Sequence, residues 1–160
     1  MKNQSSNHTM RLQSSFELLI TLSFGLAILL PLVVFAFIQI LDANSAVSAI
    51  AAQQVASKLV SVSTIVASQG APAKQIVEVT MPLGVQNIYV GNLNNGVGHT
   101  IIFVITSPSG LSYITSYSPV NVSGSLGSIT ATGTYLINVS AQSQCPLTTP
   151  VPCVYLKPAV

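Results

Sequence analysis

Charged side chains are nearly absent from this chain. Only 5% of its 160 residues are Asp, Glu, Lys or Arg, against about 25% in an ordinary soluble protein. Residues 18–41 and 79–156 contain none of them. Paired carboxylates, phosphate-binding lysines and arginine clusters are therefore excluded from the second half, and the sequence predicts a protein that is not an enzyme.

Histidines and clustered basic residues are equally scarce. His99 is the one histidine in residues 79–156, and a single imidazole builds neither a metal site nor a catalytic triad. Lys2 and Arg11 account for the whole net charge of +2, so no basic face is available to bind phosphates. We predict no cofactor, no metal and no nucleic-acid partner.

A long apolar run is present instead. Residues 18–40 carry no charge, and at about 1.5 Å per residue they span roughly 35 Å, enough to cross a hydrocarbon core of about 30 Å. Lys2 and Arg11 precede this run and Asp42 follows it. The positive-inside rule then predicts a single-pass membrane protein with a cytoplasmic N-terminus and its C-terminal part outside.

A cleaved secretory signal is an alternative interpretation of the same run. The apolar region of such a signal has about 7–15 residues and ends at a small-residue cleavage site. The run here is longer, although Ala43, Ala46 and Ala49 supply small residues beyond it.

Glu17 lies at the start of the apolar run, where a carboxylate is costly unless it is paired or stays at the interface. Cleavage after Leu12 would create a new amino group at Gln13, four residues away. One helical turn brings positions i and i+4 to the same face. That amine, on the same chain or a neighbouring one, is a candidate partner for Glu17.

The segment Gln13-x-Ser15-x-Glu17, behind Arg11 and ahead of a long apolar helix, resembles the class III signal peptide of archaeal type IV pilin-like proteins and archaellins. Leu12 stands where that family usually has Gly or Ala. The resemblance implies cleavage between Leu12 and Gln13 by a prepilin peptidase, and packing of the apolar helices into a filament core. It also implies an assembly ATPase, a platform protein and further copies of the chain as partners.

The resemblance therefore leads us to expect a pilin-like structural subunit of a surface filament, for adhesion or motility. Gln13, Ser15 and Glu17 would be its assembly residues. The alternative is a single-pass membrane protein that does not polymerise and displays an extracellular binding domain. In that case Glu17 is an interfacial acid on a plain anchor.

The helical pattern continues beyond the membrane segment to about Gln69, where Gly70 and Pro72 end it. Apolar residues recur there at spacings of three and four, and they are Val47, Ile50, Ala51, Val55, Leu59, Val62 and Val66. A helix over residues 13–70 would be about 85 Å long, so we expect its apolar stripe to be covered. Other copies and the C-terminal domain are both candidates to cover it.

Residues 74–160 change to short apolar runs separated by Gly, Pro, Asn and Ser. We predict strands at residues 75–81, 86–90, 100–105, 111–116, 128–132, 134–141 and 153–157. Their number and spacing favour a small antiparallel β-sandwich or barrel. The predicted fold is thus α+β, with a leader at 1–12, a long helix at 13–70 that spans the membrane at 18–40, and an extracytoplasmic β-domain at 74–160.

Two further features of this domain suit an external location. Cys145 and Cys153 are an even cysteine pair, for which a disulfide is the expected state outside the cell. A redox pair or two metal ligands are the alternatives, but the chain has no C-x-x-C spacing. Asn121 and Asn138 each begin an Asn-x-Ser sequence, which predicts N-glycosylation at exposed positions of the domain.

Overall fold

The computed structural model describes the backbone of residues 5–94, 96–107, 110–145 and 151–159, and side chains from residue 16 onward. These described residues form one helix and six strands. Their bounds are α1 Ser5–Gln69, β1 Lys74–Met81, β2 Val85–Gly91, β3 Gly98–Ser107, β4 Gly110–Gly124, β5 Gly133–Gln142 and β6 Cys153–Pro158. The predicted α+β class, with a long N-terminal helix and a sheet domain, is confirmed.

The chain divides into two units after Asp42. In the first unit, the described residues are helical throughout. The second unit holds the remainder of α1 and all six strands. Pro72, joined to Ala71 by a cis peptide bond, lies in the turn that separates the end of α1 from β1.

The six strands form one sheet in the order β1-β5-β6-β4-β3-β2. Neighbouring strands are antiparallel, except that β4 and β6 pair in parallel over residues 122–124 and 154–156. Gly124 lies at this parallel contact, and a Cβ there would meet the carbonyl oxygen of Leu156. Glycine therefore allows the two backbones to approach each other closely.

The sheet is open, so the expected sandwich or barrel is wrong in this detail. The C-terminal part of α1 takes the place of a second sheet and covers one face. Its buried residues are Ala52, Val55, Ala56, Leu59, Val62 and Val66, and they pack against alternate residues of every strand, including Met81, Ile88, Phe103, Val122, Ile137 and Leu156. One amphipathic helix is sufficient to bury one face of a sheet.

The sheet covers only part of the apolar stripe that was predicted on the helix. Val55, Leu59, Val62 and Val66 are buried against the sheet, whereas Val47 and Ile50 are 65% and 60% exposed. At the edge strand, the Lys58 ammonium donates a 2.7 Å hydrogen bond to the Glu78 carbonyl oxygen. The sheet covers the helix from about residue 52 onward, and earlier apolar side chains of the second unit remain in contact with solvent.

The strand predicted at residues 128–132 is wrong. Residues 125–132 form a connection whose Leu126 and Ile129 are buried in the core, and the Ile129 amide donates to the Leu126 carbonyl. The apolar residues of this segment therefore belong to a turn that inserts Leu126 and Ile129 into the core. In contrast, β4 continues to Gly124 through Pro119, which lies where the pairing with β3 shifts register between Tyr117 and Val122. Proline has no N–H group, and where the pairing is interrupted its absence costs no hydrogen bond between the strands.

Cys145 and Cys153 form a disulfide, with their Cα atoms 5.7 Å apart. This confirms the predicted bridge. Both residues are buried, and Cys153 begins β6. Closing a loop of this size stabilises the fold by about 2.5 kcal/mol in the chain-entropy account.

We expect Leu59→Ala to lower the free energy of unfolding by about 2–5 kcal/mol, because Leu59 is fully buried between α1 and the sheet. Ile65→Ala is a matched control on the same helix, since Ile65 is 50% exposed, and should cost much less. Thermal unfolding of the full chain in mild detergent, followed by near-UV tyrosine dichroism, measures both. Equal losses would contradict the packing described here.

Candidate functional site

The first unit presents an apolar helical surface whose described side chains are exposed. Over residues 16–42 every residue is exposed except Gly25, which is half-buried. The large apolar side chains in this segment include Phe24, Leu29 and Phe35, each more than half exposed. Exposed apolar area of this extent requires lipid or another protein surface to cover it.

The helix is long and apolar enough to cross a membrane: its most apolar stretch has a mean hydropathy of 2.7 and is not buried within the chain. Two hydroxyl groups in it are satisfied locally. The Thr21 hydroxyl donates to the carbonyl oxygens of Glu17 and Leu18 at 2.9 and 3.0 Å, and the Ser23 hydroxyl donates to that of Leu19 at 2.8 Å. This back-bonding removes the cost of placing a hydroxyl in an apolar surrounding.

Glu17 lies one residue after Phe16 on α1 and is exposed. Its backbone carbonyl accepts a hydrogen bond from the Thr21 hydroxyl. The residue directly precedes the uncharged apolar run that begins at Leu18. Leu12, Gln13 and Ser15 also fall within α1, and their side chains lie outside the described residues. The pairing between Glu17 and an amine at Gln13 therefore stays a prediction.

The second unit exposes a helical face of a different composition. Outward-facing residues of α1 in this unit include Val47, Ile50 and Ile65 among Ala, Ser and Gln side chains, with Lys58 as the one Lys or Arg between residues 43 and 69. Small uncharged side chains permit close approach of a second helix and add no repulsion between identical copies. The opposite side of the helix is already occupied by the sheet.

The two predicted glycosylation sites lie on β4 and β5, which β6 separates in the sheet. Asn121, on β4, is half-buried, and its amide nitrogen is 3.5 Å from the Pro152 carbonyl oxygen. It lines a cavity of about 340 Å³, together with residues that include His99, Gln142 and Pro152. Asn138, on β5, is half-buried rather than open, and its Oδ1 is buried with no hydrogen-bond partner among the described residues.

Within the described ranges, no group of three or more His, Cys, Asp or Glu side chains is placed to hold a metal ion. Comparisons with protein-family models, with curated proteins and with solved structures find no match to this chain.

We expect simultaneous Leu26→Arg, Leu29→Arg and Leu30→Arg substitutions to prevent membrane insertion. These leucines are 50–61% exposed, and each arginine near the centre of a membrane helix costs about 2.5–3.5 kcal/mol. Alanine at the same three positions is the control, because it removes the side chains without adding charge. The measurement is the fraction of full-length chain retained in carbonate-washed membranes. Retention of the arginine variant at the alanine level would exclude a membrane-spanning role for this segment.

Proposed function

We propose that this chain is a pilin-like structural subunit of an extracellular filament. In this proposal the apolar part of α1 holds the subunit in the membrane before assembly and then packs against the same part of other copies. The sheet domain lies outside the membrane and is displayed on the filament surface. The signal-peptide resemblance at Gln13, Ser15 and Glu17 supplies the processing step, by a prepilin peptidase cutting after Leu12.

The observation that carries the proposal is the exposed, uncharged helical surface over residues 18–41. A simple anchor needs such a surface too, so the neighbouring features matter. An acidic residue at its N-terminal border and a charge-poor outward face on the helix of the second unit both favour contacts between identical helices. Neither feature is needed by an anchor that stays alone in lipid.

Glu17 would guide the assembly step. A carboxylate in a lipid or helix-packed surrounding is costly without a positive partner. The amino group of Gln13, freed by cleavage, would neutralise it on the same or a neighbouring chain. Only subunits aligned so that this pair forms would pack without an unpaired charge, and the apolar helices would then exchange lipid contacts for contacts with each other.

The disulfide supports the outside location of the sheet domain. Stable disulfides belong to oxidising compartments, and this one joins Cys145 to Cys153 within the second unit. The location agrees with the orientation that Lys2 and Arg11 predict for the membrane segment.

We expect the mature protein to begin at Gln13. Intact mass spectrometry of the membrane fraction and of material sheared from the cell surface measures this directly. Retention of residues 1–12 in both fractions would contradict the pilin proposal. It would support instead the non-polymerising membrane protein with an external binding domain.

We expect Glu17→Ala to reduce surface filaments by about tenfold or more, because an amine left unpaired in the packed core is costly. Glu78→Ala, which removes an exposed acid from β1, is the matched control and should assemble normally. Filaments counted by electron microscopy at equal subunit expression provide the measurement. Normal filament numbers with Glu17→Ala would refute the alignment role.

A further inference from the structure

The sheet face that points away from α1, here called the outer face, differs in charge between its two halves. The charged residues of β1 and β6, namely Lys74, Glu78 and Lys157, alternate with buried core residues and so lie on this face. The half formed by β2, β3 and β4 lies within residues 79–156, which contain no Asp, Glu, Lys or Arg.

Three tyrosines stand on the uncharged half. Tyr89 on β2 is aligned across the strands with Ile102 on β3 and Thr115 on β4. Tyr113 and Tyr117 flank Thr115 on β4, and they are 60% and 69% exposed. We call this group of five residues the tyrosine face. From the strand rise and spacing, Tyr113 and Tyr117 are about 13 Å apart, and Tyr89 lies about 9.5 Å to the side of Thr115.

The ring of Tyr117 is held in place. The His99 ring stacks on it with centroids 5.9 Å apart and planes 22° apart. His99 is itself fixed by a 3.1 Å hydrogen bond between its Nδ1 and the Ser118 carbonyl oxygen. An exposed aromatic side chain that is already ordered loses little conformational entropy when a ligand covers it.

We propose that the tyrosine face binds an uncharged polysaccharide. A sugar ring has faces lined with C–H groups that stack on aromatic rings, and hydroxyl edges that require hydrogen-bond partners. Exposed tyrosines supply both the ring faces and the polar O–H groups. The face is broad and not enclosed, which suits an extended polymer better than a small molecule that needs a concave pocket. The absence of charge favours a neutral partner over an acidic one.

A hydroxyl group between the rings favours a sugar polymer over a second copy of this chain. Thr115 is exposed between Tyr113 and Tyr117, so a dry apolar surface placed over it would remove its contact with water. Sheets that pack on each other bury interdigitating apolar side chains, and buried hydroxyls without partners are costly. A polyol offers hydrogen bonds to such groups.

The proposal does not depend on filament formation, since all its residues lie in one sheet. The test is native affinity electrophoresis of the full chain in mild detergent through gels that contain dextran, mannan or hydroxyethylcellulose. We expect at least one of these to retard the protein. The double variant Tyr113→Ala, Tyr117→Ala should bind about tenfold more weakly or worse, whereas Tyr113→Phe should keep most of the affinity.

The matched control is the double variant Ile76→Ala, Leu136→Ala, which removes similarly exposed side chains from the charged half of the outer face. It should be retarded like the unaltered protein. Because the chain has no Trp, a change in tyrosine emission on titration with the retarding polysaccharide reports contact with these rings. Unchanged far-UV circular dichroism of the variants confirms that they keep their secondary structure.

Three results would overturn the proposal. The first is no retardation of the unaltered chain by any of the polysaccharides. The second is equal retardation of the tyrosine and control variants. The third is a change in particle size that accompanies the loss of tyrosines, which would assign the face to contacts between copies.

Discussion

The structure depends on one constraint, which is that the apolar surface of α1 must be removed from water. The sheet satisfies it for one face of the helix in the second unit, through side chains such as Val55, Leu59 and Val66. It is not satisfied for residues 16–41, whose large apolar side chains are exposed in the part of the chain that the structure describes. The two parts of one helix therefore need different partners, and the proposed function follows from the part that has none.

The same constraint explains why a single sheet is enough. A sheet must bury at least one face, and two-layer folds do this with either a second sheet or helices. Here the amphipathic helix supplies the second layer, and Leu126 and Ile129 complete the core from the loop before β5. With its core closed on one side, the domain leaves the other side of the sheet free for binding or for contacts between subunits.

The sequence was most informative where periodicity and composition act locally. The end of α1 near Gly70 and the strand at residues 100–105 follow from apolar spacing and turn residues, and the cysteine pair follows from an even count, whereas α1 begins at Ser5 and not at the predicted residue 13. Arrangement in space was less accessible. The alternation at 128–132 is compatible with a strand or with a loop that inserts two side chains, and only the core beneath Ile129 distinguishes them.

Likewise, the stripe from Val47 to Val66 is uniform in sequence, and its division into covered and uncovered parts depends on where the sheet begins to cover the helix. The sequence does not show that the tyrosines share one face of the sheet. Tyr89 and Tyr113 lie on different strands, and the register of both strands with β3 places them on the same face.

The scarcity of charge has a separate physical cause in each part of the molecule. In residues 18–41 a charge would oppose transfer into lipid and the packing of helix on helix. On the inner face of the sheet it would lie unpaired in a core built from Met81, Phe103 and Leu156.

Neither reason applies to the outer face of β2, β3 and β4, where solvent would accept a charge at little cost. Lys74, Glu78 and Lys157 on the other half of that face demonstrate that the sheet tolerates charge there. The uncharged, tyrosine-bearing half thus requires an explanation beyond folding, and a neutral hydroxyl-rich partner supplies one that is consistent with both its composition and its shape.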